Sequence, residues 1–69
     1  APIIVEQIFN LIDEIKKTGV SILMVEQNAS KALKAADFGY VLELGNLEAS
    51  GSSASLLKDN DIKRYYLGI

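Results

Sequence analysis

Val20-Ser21-Ile22-Leu23-Met24-Val25, followed at once by Glu26-Gln27-Asn28, is the stretch whose reading decides the fold. Five of the first six residues are apolar and three are β-branched. A short, nearly unbroken apolar run that starts after Gly19 reads as a strand buried on both faces, as in a parallel sheet. Asn28 is a good N-cap for the Ala-rich segment 29–36. Glu26 and Gln27 therefore fall where a buried strand gives way to a helix. In open α/β sheets that edge is where ligands bind.

Upstream, residues 1–18 read as an amphipathic helix. Ile4, Ile8, Leu11 and Ile15 recur at helical spacing, and Ile3, Phe9 and Ile12 widen the stripe, which reads as core packing. Pro2 suits a first turn, Glu6 lies near the helix start, and Lys16 and Lys17 complement the dipole at its end. Gly19 is the expected stop. Downstream, segment 29–36 is a short helix with Ala32, Leu33 and Ala36 inward and Lys31 and Lys34 in water. Phe38, Tyr40, Leu42 and Leu44 then alternate with Gly39, Val41 and Glu43, the period of a strand. Gly45-Asn46 reads as the two-residue turn of a hairpin whose return strand is 47–50. Gly51-Ser52-Ser53 breaks the chain and offers caps for a helix over 54–58. Asp59-Asn60 caps a last helix over 61–67. The order is helix, buried strand, helix, β-hairpin, C-terminal helices, an α/β class within one small domain.

Composition excludes several functions. The chain has 69 residues, no Cys and no His, so a thiolate metal site, a disulfide framework and imidazole acid–base chemistry are all ruled out. A net charge of −2 with no basic patch argues against nucleic acid. No apolar run nears the roughly 20 residues that span a bilayer, and no leader peptide is visible. The start, Ala1-Pro2-Ile3, is compatible with processing or with a fragment. The carboxylates Asp13, Glu14, Glu26, Asp37, Glu43 and Glu48 are scattered, so spacing forces no acid–base pair together. The serines lack a G-x-S-x-G setting, and neither G-x-x-x-x-G-K-S/T nor G-x-G-x-x-G occurs. One position keeps functional weight. The Gln27 amide can donate a hydrogen bond to a phosphate or carbonyl; from position alone, Gln27 reads first as a polar neighbour of the Asn28 cap.

Ser21-Ile22-Leu23-Met24-Val25-Glu26-Gln27-Asn28, then Ala35-Ala36-Asp37, then Gly39-Tyr40-Val41-Leu42-Glu43-Leu44-Gly45, resemble the C-terminal part of ABC-transporter ATPases. The similarity is strongest to the ATP-binding subunits of branched-chain amino acid importers, whose wording is close to V-E-Q-N, A-D-x-G-Y-V-L-x-x-G and a Y-L-G tail, here Tyr66-Leu67-Gly68. It covers essentially the whole chain. Ala1 and Pro2 look like the end of the Leu-Ala-Pro run that follows the Walker B strand and D-loop.

The resemblance implies a partial domain over 1–69, part of a P-loop (RecA-like) core, with the phosphate loop, signature motif and Walker B carboxylates upstream. It puts Gln27 at the position of the switch histidine that touches the γ-phosphate. Gln can donate a hydrogen bond there but cannot carry a proton's charge. ATP and Mg²⁺ are implied for an intact parent protein, none for the fragment alone, which is expected to hydrolyse no ATP. The implied partners are a second ATP-binding subunit and membrane permease subunits, at the cytoplasmic face of the membrane. In such a fold the phosphate-loop strand lies between the strands that correspond to 20–25 and 39–44. Without it both would keep unmade backbone hydrogen bonds, so they are expected either to collapse into a direct parallel pair or to recruit copies of the chain. The alternative is an autonomous α/β interaction module without catalysis.

Overall fold

A computed structural model describes residues 2–68. Helix α1 (Pro2–Lys17) begins with Pro2 and ends before Gly19, whose φ of 91° fits the expected stop. Lys16 and Lys17 occupy its last turn, and Glu6 lies just past its first turn. The Asn28 side chain accepts from the Lys31 N–H at 3.2 Å and so caps α2 (Ala29–Ala35). Strands β1 (Phe38–Glu43) and β2 (Asn46–Ser52) form an antiparallel hairpin. Ser52 caps α3 (Ser53–Lys58), and Asp59 caps α4 (Asn60–Ile62), which runs on as a π-helical turn (Lys63–Leu67) closed by Gly68 at φ 72°.

The hairpin turns one residue earlier than the sequence suggests. Glu43 pairs with Asn46, leaving Leu44 (φ 51°) and Gly45 (φ 80°) as the central residues, both in the positive region that a type I′ turn requires. Asn46 belongs to the return strand, which is also longer than expected. A one-residue shift would turn every side chain to the other face. The observed register keeps Val41 opposite Ala49, both packed against the core. Glu48 is the extra residue of a bulge between Val41–Ala49 and Leu42–Leu47.

The core lies in the second half of the chain. Among the described residues its buried hydrophobics are Leu33, Leu56 and Ile62, one each from α2, α3 and α4, packed with Val41, Ala49, Leu57, Tyr66 and Leu67. Gly39 lets β1 approach this cluster: a Cβ there would stand 2.6 Å from Leu33 Cδ2 and 3.0 Å from Leu56 Cδ1.

Two sequence expectations fail here. Residues 20–25 form no strand, and Leu23 and Val25 are 92% and 96% exposed. A strand needs a neighbour to take its N–H and C=O groups, and the one sheet among the described residues is the hairpin. The direct parallel pair with β1, one of the two outcomes expected for these segments, is absent as well. The Ile4, Ile8, Leu11 and Ile15 stripe of α1, read as core, is also exposed. Instead α1 turns Val5, Phe9, Ile12 and Lys16 toward the rest of the molecule, all half-buried. In both cases the apolar residues lie outside the core that α2, α3, α4 and the hairpin close together.

Candidate functional site

The arm 18–28 joins α1 to α2 and forms one wall of a groove of about 1170 Å³. The opposite wall is the outward face of the hairpin, with Phe38, Tyr40, Leu42 and Leu47, and the Ala side of α2 forms the floor. Phe38 and Tyr40 lie with ring centroids 5.1 Å apart. The groove thus separates the two segments that the sequence expected to pair.

Gln27 stands at the α2 end of the arm, exposed, on the groove. Its position is fixed by its neighbours. The Asn28 N–H donates to Glu26 Oε1 at 3.0 Å, and Asn28 Oδ1 in turn accepts from Lys31. Glu26 and Asn28 are thus both spent on the backbone around them, while the Gln27 amide lies exposed between them. Pro2 is the first residue of α1 and is exposed; Ala1 lies outside the described residues.

Polar links that sequence reasoning missed hold this region to the rest of the chain. Lys16 Nζ donates to the Ala35 carbonyl at 3.1 Å and stands 3.2 Å from Asp37 Oδ1. These partners are 19 and 21 positions away, and no local pattern announces them. Above the groove's other end the Tyr66 hydroxyl donates to Glu43 Oε2 at 3.0 Å. That bond, with some burial and the negative charge of Glu43 and Glu48, raises the Tyr66 pKa above its ordinary value of 10.0.

The groove's charged residues are Lys16, Glu26 and Asp37, and the one ammonium is already neutralised by Asp37. Among the described residues no three metal-ligating side chains stand together. Among the described residues lining the groove, the neutral hydrogen-bond donors are Gln27 and the hydroxyls of Ser21, Tyr40 and Tyr66.

Comparison with known proteins gives Gln27 a context. No family model matches the chain. It is 46% identical over 68 residues to the high-affinity branched-chain amino acid transport ATP-binding protein BraG of Pseudomonas aeruginosa, covering 99% of this chain and 29% of that protein. Its sequence is similar to that of ABC-transporter ATP-binding proteins. A second ABC relative, the probable branched-chain amino acid transport ATP-binding protein LivF of Archaeoglobus fulgidus, is 36% identical over 69 residues, 100% of this chain and 28% of its own length. A third, the lipopolysaccharide export system ATP-binding protein LptB of Escherichia coli, is 31% identical over 67 residues, 97% and 28%. The chain thus spans under a third of the length of these ABC relatives. Its helices and antiparallel hairpin are compatible with the C-terminal part of such an ATPase. No helix among the described residues is long and apolar enough to cross a membrane.

Proposed function

We propose that this chain is part of an ATP-binding subunit that couples ATP hydrolysis to import of branched-chain amino acids, and that Gln27 is its contact to the γ-phosphate. The observation that supports this most is the similarity along the whole chain, 46% identical to a branched-chain amino acid transport ATP-binding protein. In this reading the chain's groove faces the rest of a P-loop, RecA-like core. ATP and Mg²⁺ are held by residues outside the 69, with a second ATP-binding subunit and permease subunits as partners at the cytoplasmic face of the membrane.

The Gln27 amide donates one hydrogen bond and moves no proton. Being neutral, it attracts the triphosphate weakly, and its value lies in orientation near the transferring group. The test is the intact subunit carrying Gln27→Ala. Turnover should fall by about 3 kcal/mol of transition-state stabilisation, on the order of a hundredfold, while ATP affinity changes little. Gln27→His should keep substantial activity, because imidazole also donates. The 69-residue chain alone should release no phosphate from ATP. Unchanged turnover in Gln27→Ala at saturating ATP returns Gln27 to the role of a neighbour of the cap.

A further inference from the structure

The hairpin turn breaks a local rule. A type I′ turn sets both central residues at positive φ, and Gly and Asn take that conformation most readily. Here the first central residue is Leu44, at φ 51°. For a bulky side chain that backbone is unfavourable, because Cβ crowds the following carbonyl. The packing of Val41 and Ala49 explains why the turn falls on residues 44 and 45. It does not explain a leucine, since an Asn at that position would hold the same register with less strain. The side chain gives the fold nothing in return. It is 98% exposed, and it lies outside the groove, whose hairpin wall is Phe38, Tyr40, Leu42 and Leu47. Strain kept at an exposed apolar residue is a mark of binding surfaces.

The charges around the tip say what kind of surface fits it. Segment 38–52 carries Glu43 and Glu48 and no Lys or Arg. Both carboxylates are exposed, and neither is in an ion pair among the described residues. Glu43 directly precedes Leu44, and its carboxylate accepts from the Tyr66 hydroxyl at 3.0 Å, which holds it in place. The tip is thus one apolar knob with an acidic rim, complementary to an apolar pocket rimmed by Lys or Arg. Loops on the cytoplasmic side of membrane proteins carry an excess of those residues. We propose that the hairpin tip is a docking contact, with Leu44 seated in an apolar pocket among the basic cytoplasmic loops of a permease subunit. This rests on the reading of the chain as part of a transporter's ATP-binding subunit. Both strands and the turn lie within the chain, so the geometry of the tip needs no residue outside the 69.

The experiment uses the intact ATP-binding subunit with Leu44→Asn, Leu44→Met and Glu48→Gln. Melting, basal ATP hydrolysis and affinity for the permease subunits of its own transporter in detergent are measured on each. Leu44→Asn should raise Tm by about 2–4 °C, because Asn tolerates the turn, and should leave basal hydrolysis unchanged. The same variant should weaken permease affinity about tenfold, the loss of one buried apolar side chain. Leu44→Met keeps an apolar knob and should keep most of the affinity. Glu48→Gln should cost about twofold at low salt and less at high salt. A fall in Tm with Leu44→Asn would mean that the intact subunit buries Leu44 itself, and overturns the proposal. Equal permease affinity of the wild-type and Leu44→Asn subunits overturns the proposal alone. A wild-type subunit with no affinity for the permease subunits overturns the transporter reading and the proposal with it.

Discussion

Tyr66 and Glu43 offer a residue-scale test of how the C-terminal π turn is held. The hydroxyl can donate only while protonated, and losing its proton would set two negative charges side by side. That is why the folded chain keeps the proton to higher pH than the unfolded chain does. The raised value fixes the sign. Below about 10 the tyrosine is protonated in both states and the bond's contribution is complete; as pH rises through the folded value it is lost. Stability should therefore decline above pH 10 in the parent chain, and Tyr66→Phe should flatten that decline. Thermal melts at pH 9 and above on both chains measure it; identical slopes would leave the bond without energetic weight.

At the scale of elements, Gly39 decides how closely β1 approaches the helices. An alanine there reduces the entropy of the unfolded chain, worth about 0.4–1 kcal/mol in favour of folding. Against this, its methyl would press on Leu33 and Leu56 together, two of the buried core residues. Overpacking of that kind costs about 1–3 kcal/mol, so the clash wins and Gly39→Ala should lower Tm. A raised Tm would show that the two leucines shift freely.

The same scale shows what was legible in the sequence. Asn28, Ser52, Asp59 and Gly19 each act within a few residues, so caps and stops are written where they operate. The hairpin was legible too, although the turn fell on Leu44-Gly45 because the packing of Val41 and Ala49 outweighed the appeal of Gly45-Asn46. Residues 20–25 carry every local mark of a strand and form none, because strand formation depends on a neighbour that local pattern does not supply. Gln27 was legible as an exposed polar position at the α2 end of the arm; the role proposed for it comes from resemblance alone. Lys16 was legible only as a helix-end cation; its partners are distant in sequence and became neighbours through the turn of the arm.

For the whole molecule, apolar surface is distributed unevenly. The second half closes a core around Leu33, Leu56 and Ile62, while α1 and the arm show Ile4, Ile8, Leu11, Leu23 and Val25 to water. Unpaired backbone beside exposed apolar side chains is a template for another chain. We propose that copies of the 69-residue chain associate through this surface. Sedimentation should show mass growing with concentration, and a Leu23→Lys/Val25→Lys chain should remain monomeric to higher concentration. Equal association by both chains would place the contact elsewhere, for instance on the Ile stripe of α1.

The unladdered arm has one more consequence, which concerns how the chain comes apart under a protease. A protease needs several residues of extended backbone free of hydrogen-bonded partners, and residues 20–26 already present them without any unfolding. Cleavage beside Leu23 or Met24 should therefore outpace every other cut. The larger product keeps the caps of α2, α3 and α4, the hairpin and the three buried residues, so it should resist further digestion. It loses the ammonium that covered the end of α2, and α1 leaves with the smaller piece. A time course read by mass spectrometry should show one early nick between residues 20 and 27 and a persistent C-terminal product; early cuts within the hairpin would mean that the core is less firmly closed than its packing indicates.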